Sequence, residues 1–236
     1  MPSLFTAADT LTRPMRQLLS RYDLSKLWQG DTEERRTNPT MEGFFGPDHY
    51  RFALVFNEVK RDEQHPEVYH VRGKCRYRKN IRLFSGFLTV QTVKDLARGN
   101  FFLTGPGQDL PDTATAVTYT ARARMHLTEE ISANSGVFEG ESILDFYTNS
   151  APTPIGYVTG SLGIDESMPA MGSGSLLRGK RRNVTTRQVK SFVVSTDDFG
   201  VGDRGGQVNP KYAKLGWSEM WENNEWWADP APVAHL

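Results

Sequence analysis

The strongest constraint on this chain is a change of period. From Glu42 to Ser195, apolar and polar residues alternate singly, in run after run. A period of two puts successive side chains on opposite faces of an extended strand, whereas a helix repeats every ~3.6 residues. In Tyr50–Phe56 (YRFALVF), Tyr50, Phe52, Leu54 and Phe56 share one face. In Val68–Arg78 (VYHVRGKCRYR), Tyr69, Val71, Cys75 and Tyr77 share one face, and His70, Arg72, Lys74, Arg76 and Arg78 the other. The pattern continues in Phe84–Val93, Val117–Thr128, Gly136–Thr148, Ile155–Ile164 and Thr185–Ser195. Seven strands follow, with short connections and no helical crossover, so their pairing is antiparallel.

An aromatic residue followed closely by glycine recurs at Phe84–Gly86, Phe138–Gly140 and Tyr157–Gly160. Glycine inside a strand marks a sharp bend or a close backbone approach, the device by which small barrels close. The expected fold class is therefore mainly β, an antiparallel barrel with an N-terminal helical segment and a short C-terminal helix.

Folding Val117–Thr128 onto Gly136–Thr148 about Ile131 and Ser132 sets Arg124 opposite Glu139, Arg122 opposite Glu141 and Met125 opposite Phe138. Opposite charges then meet on one side and apolar groups on the other. Turning Tyr50–Val59 onto Val68–Arg78 near Glu63 sets Phe52 opposite Cys75 and Phe56 opposite Val71. On the other face Arg51 meets Arg76 and Ala53 meets Lys74, and the next hairpin sets Lys74 against Phe87 and Arg72 against Thr89. Arg51, Arg72, Lys74, Arg76 and Arg78 thus form a basic face without acidic neighbours. It is a candidate for anion or partner binding, weighed against an ordinary solvated face.

The flanks differ. Leu11, Met15, Leu18, Leu19 and Tyr22 give Leu4–Trp28 a helical spacing that Pro14 is expected to divide, and Gly30–Thr40 reads as a polar linker. Domain boundaries follow at 1–40 and 41–236. The stretch Asp165–Arg182 reads as a loop, flexible and then basic (Arg178–Arg182), and Asp197–Gly206 as a glycine-rich acidic loop. Asn209-Pro210 is expected to cap a helix running through KYAKLGWSEMW. On it Trp217 and Trp221 would share a face with Ala213 and Met220, closing one mouth of the barrel, with Trp226 or Trp227 at a rim.

Several chemistries are absent. His49, His65, His70, His126 and His235 show no metal-ligand spacing, and neither GxSxG nor a phosphate-cradling GxxxxGK[ST] occurs. Gly200–Gly205 fits GxGxxG by letter, but too little chain follows for a dinucleotide-binding unit. Asp197, Asp198 and Asp203 read as a solvated loop before a calcium site. Glu139, Glu141 and Asp145 read as structural before acid–base catalysts, and Glu219, Glu222 and Glu225 carry a glycosidase reading ranked last. Cys75 is expected to be buried; being single, it forms no internal disulfide. No cofactor is expected. Acidic and basic residues balance at 28 each, so nucleic acid is not an expected partner of the whole molecule. No apolar run is long enough for a membrane span, and without a signal peptide the default compartment is cytoplasmic, unless a leader has been removed.

The order YRF…V…VYHVRGK…FSG within Gly43–Val90, and the tail DDFGVGDRGGQVNPKYAKLGWSEM, resemble uncharacterised β-rich proteins of Bacteroidetes-type bacteria. The resemblance covers about half of the chain and implies an antiparallel, calycin- or lipocalin-like architecture. It brings no active residues, and because some such proteins are exported it counts against the cytoplasmic default.

The resulting expectation is a non-enzymatic protein that binds a small, partly apolar or amphipathic ligand in a barrel interior. Tyr50, Phe52, Phe56, Tyr69, Tyr77 and Phe138 would line that interior, with Trp217 and Trp221 near a mouth. The alternative is a protein- or anion-interaction module using the outer basic face.

Overall fold

The computed structural model describes residues 10–30, 39–96, 101–104, 115–132, 134–150, 155–160, 174–196, 199, 208–218 and 226–228, with backbone alone at 101–104 and 159–160. Two short helices, α1 (Arg13–Arg21) and α2 (Ser25–Gln29), precede ten strands. These are β1 (Met41–Phe45), β2 (Tyr50–Arg61), β3 (Val68–Tyr77), β4 (Asn80–Asp95), β5 (Phe101–Thr104), β6 (Val117–Glu129), β7 (Gly136–Thr148), β8 (Ile155–Gly160), β9 (Ser175–Asn183) and β10 (Val189–Ser195). A single helical turn, α3 (Pro210–Tyr212), follows.

All strands belong to one antiparallel sheet in the order β5-β8-β7-β6-β4-β3-β2-β1-β10-β9. β9 also pairs with β7, from Gly136↔Asn183 to Leu144↔Ser175, and this closes a ring of eight strands. Beyond that contact the same edge of β7 pairs with β8, and β5 follows on β8. The close crossing of β7 and β9 depends on glycine: a Cβ on Gly140 would lie 2.1 Å from the Arg178 carbonyl oxygen. That fits the expected role of the aromatic–glycine repeats.

All seven expected strands are present, the one expected at Ile155–Ile164 being described as far as Gly160, and β2, β3, β6 and β7 keep the inward and outward faces that the alternation assigns. The registers differ. β6 and β7 pair two residues out of step with the expected turn, so that Arg124 opposes Glu141, His126 opposes Glu139 and Leu127 opposes Phe138. β2 and β3 pair Phe52↔Tyr77 and Leu54↔Cys75, and then a bulge at Asn57 sets Glu58 opposite Arg72. β3 turns tightly into β4 through Arg78 and Lys79, with Arg78 at φ +57°, so Arg72 faces Ser85 and Lys74 faces Leu83.

Three strands escape the alternation. The basic segment expected to be a loop is β9: Arg178, Lys180 and Arg182 point outward, while Arg181 points inward and donates to the buried Glu129 carboxylate at 2.8 and 2.7 Å. Pro14 opens α1 instead of dividing it, because proline is tolerated in a first turn. The break comes at Tyr22–Leu24, between α1 and α2.

The inward face of the ring is the core, and the N-terminal helices belong to it. Leu19, Leu24, Leu27 and Trp28 pack with Phe52, Phe56, Tyr69, Met125, Leu127, Phe138 and Phe146. Trp28 is 2% exposed, meets Tyr69 edge to face at 4.5 Å and donates its indole N–H to the Ser142 hydroxyl at 2.9 Å. Full burial of an aromatic of this size contributes a few kcal/mol, of order ~2–3. The ring is thus plugged from its N-terminal side.

Candidate functional site

Phe52, Phe56, Tyr69 and Phe138 lie inside the ring, each at most 2% exposed. Phe52 stacks on Phe138 at 6.0 Å, and both meet Phe192 edge-on. Tyr50 and Tyr77 are half-buried at one end, 5.4 Å apart, with the Arg78 guanidinium over both rings. Phe52, Phe56, Tyr69, Phe138 and Phe192 belong to one continuous buried apolar cluster. Burial pushes the Tyr69 hydroxyl well above the usual phenol range, so it stays protonated.

Trp217 and Trp226 clad the outside of the wall. The expected helix ends early because Gly216 turns left-handed, at φ +88°, and Tyr50 occupies the space a side chain there would need. Trp217 therefore leaves the helix and packs on the outward cross-strand pair Phe44 and Arg51, at 5.4 and 5.5 Å. Trp226 lies on Ala53 and Val55, also on the outside of β2. Trp221, Met220, Glu219, Glu222 and Glu225 lie outside the described residues, as do Asp197, Asp198, Asp203, His235 and Gly200–Gly205.

The basic face is not free of acidic neighbours. Arg51 is buried, and its guanidinium grips both Glu42 carboxylate oxygens at 2.7 and 2.8 Å. Arg72 meets Glu58 at 2.9 Å, a pair that the Asn57 bulge creates. Lys74 is buried and donates to the Ala228 carbonyl. Arg76 is half-exposed and donates to the Arg78 carbonyl. The C-terminal segment thus covers the Arg51 and Lys74 part of the face.

Among the described residues, none covers the neighbouring wall over β3, β4 and β6 in the same way. On β4, Ile81, Leu83 and Phe87 point outward and are 43–47% exposed. His70, Phe87 and His126 are direct cross-strand partners in one row, with the His70 and Phe87 rings 5.1 Å apart. A groove of about 450 Å³ runs over this row, lined by Glu58, Lys60, Arg72, Ser85, Phe87 and Thr128 among others. Both histidines are half-exposed, as expected for outward positions. His70 Nε2 lies 3.0 Å from Asp62, which with the Gln64 and His65 amides lowers the Asp62 pKa to about 2. The sequence carries a signal for this wall that the expected site omits: Ile81, Leu83 and Phe87 are apolar at the polar positions of the alternation.

The remaining candidate groups are engaged structurally. Glu141, fully buried, accepts from Arg122 at 2.6 Å and Arg178 at 2.5 Å. Glu139 pairs with Arg182 at 2.8 Å, with His126 further off at 3.7 Å. Asp145 accepts from the Thr120 hydroxyl at 2.5 Å. Cys75 is 3% exposed, as expected, and burial pushes its thiol pKa far above the usual range, so it is no thiolate nucleophile. Among the described residues no group of three or more His, Cys, Asp or Glu side chains is placed to hold a metal ion, and no helix is long and apolar enough to cross a membrane.

No protein-family model matches this chain, and no curated protein and no solved structure matches it at significance.

Proposed function

We propose that this is a non-enzymatic docking protein whose outer wall over β3, β4 and β6 receives an anionic partner. The observation that carries the reading is the charge of the wall. Lys60, Arg72, Arg76 and Arg124 stand outward at half-exposed or exposed positions on this wall and the adjoining β2, against Glu58, Asp62 and Glu130. The chain as a whole is neutral, so this is a local excess. Such an excess steers association and orients the partner, and salt screens it.

In this reading the ring is a barrel of lipocalin-like size. A barrel of about eight strands holds either side chains or one small ligand. The dense aromatic packing and the Trp28 plug favour side chains, which moves the functional surface outward from Tyr50, Phe52, Phe56, Tyr69, Tyr77 and Phe138.

Replacing Lys60, Arg72 and Arg76 together by glutamine tests the proposal, with polyglutamate as the probe. Affinity for the unaltered protein should fall steeply between roughly 50 and 200 mM salt and be several-fold lower in the variant. Equal affinity in both proteins at low salt overturns the reading.

A further inference from the structure

The charge of the wall leaves the chemical class of its partner open, and the groove over Phe87 narrows it. We infer that the occupant is an acidic polypeptide segment carrying bulky apolar side chains, lying extended along β4 with one such side chain seated beside Phe87. This deepens the docking reading and rests on it.

Three observations point the same way. First, the groove pairs an apolar floor with a charged rim. Phe87 is 45% exposed at its centre, His70 and His126 flank it in one cross-strand row, and Lys60 and Arg72 outnumber Glu58 along the edge. Its volume of about 450 Å³ lies within the range of small binding clefts. Exposed aromatics within a polar, cationic rim are the usual anchors of protein recognition.

Second, the apolar residues keep a strand's spacing. Ile81, Leu83 and Phe87 are at even intervals on one outward face, with Ser85 between the last two. An extended segment presents its own alternate side chains at the same repeat, about 6.8 Å for two residues, so successive apolar groups fall on successive members of the stripe. Ser85 and Thr128, paired across β4 and β6, place hydroxyls beside Phe87 for the segment's polar atoms.

Third, the other anionic partners fit less well. Nucleic acid would use cations along its phosphates and aromatic rings for its bases, but Ile81 and Leu83 offer no ring to stack on. A bilayer surface takes up apolar side chains that protrude, whereas Phe87 lines a concavity in mid-wall.

The test uses the full chain and fluorescence polarisation with three probes: a short peptide alternating glutamate with phenylalanine and leucine, polyglutamate of equal charge, and an oligothymidylate. Vesicles of phosphatidylserine are assayed separately by sedimentation. The comparison protein is Phe87→Ser, an exposed change whose fold is checked by circular dichroism; Leu83→Ser is the second variant. The expected result is that the apolar-acidic peptide binds tightest and that Phe87→Ser weakens it about tenfold, with polyglutamate unaffected. If peptide and polyglutamate bind alike and neither variant matters, the docking reading stands and this inference falls. It falls likewise if oligothymidylate or vesicles bind best and respond to Phe87→Ser. If no anionic probe binds at low salt, both fall together.

Discussion

The indole N–H of Trp28 reaches the hydroxyl of Ser142 across 2.9 Å, joining helix α2 to the inner face of β7 over 114 residues of chain. The bond is fully buried, so each partner depends on the other. Trp28→Ala removes the bond and opens a cavity lined by apolar side chains. Unfolding free energy should fall by about 3–5 kcal/mol, read from urea midpoints. Ser142→Ala keeps the volume but strands the indole N–H, and should cost about 1–3 kcal/mol. A Trp28→Ala protein that remains folded should also take up benzene, which the unaltered ring should exclude, as read by ligand NMR.

Glu129 and Arg181 meet inside the ring, with the Glu129 side chain 1% exposed. Removing Arg181 leaves the buried Glu129 with the more distant Arg82 guanidinium, at 3.8 Å, as its remaining ion-pair partner among the described residues. Arg181→Met should therefore destabilise by about 3–5 kcal/mol, while Glu129→Leu with Arg181→Met should recover most of that loss. A double-mutant cycle in urea checks this, and simple additivity of the two single changes would contradict it.

Cys75 should be inert in the native state. Its thiol is buried and its pKa pushed far above the ordinary range, so it carries almost no thiolate at pH 8. Reaction with Ellman's reagent should be limited by unfolding and should accelerate in urea in step with the loss of structure. A rapid native reaction would mean that the wall around Cys75 opens readily.

The acid limb of stability should contain a contribution from Asp62. Its pKa is lowered from 3.8 to about 2 by His70 first, then by the Gln64 and His65 amides. A carboxyl held below its unfolded value stabilises fully above about pH 3.8, and that stability is lost as the pH falls toward 2. Carbon-13 NMR should show the Asp62 carboxyl titrating near 2, and His70→Gln should move its midpoint up toward 3.8. An unmoved midpoint would assign the shift to the two amides instead.

Alternation makes the strands and their faces legible, and even the register errors respect this. β6–β7 slips by two residues, as does β2–β3 up to the Asn57 bulge, and an even slip keeps side chains on their expected face, since only an odd slip turns a strand over. Register itself is set by features that alternation does not record: the bulge at Asn57 and the tight turn with Arg78 at positive φ. β9 is hidden because a strand reading LLRGKRRN looks like a basic loop until Arg181 is seen donating inward to Glu129. Trp217 reads as part of a plug, yet it packs on the outer wall, and the tryptophan found in the core is Trp28, near the other end of the sequence. The helical periodicity around Trp217 continues on paper through Gly216, where the backbone turns away. The wall at Phe87 is readable as apolar residues on the polar side of β4, a departure from pattern whose exposure only the packing shows.

Asn57, the bulged residue of β2, accepts a hydrogen bond from Gln29 through its carbonyl and donates one to the Trp227 carbonyl through its side-chain amide. Tension applied to the first helices and tension applied to the C-terminal tryptophans therefore converge on a single link of one strand. Helix α2 and the Trp226–Ala228 segment are moored side by side at Asn57, and a pull between them loads that mooring as well as the pairing of strands around the ring.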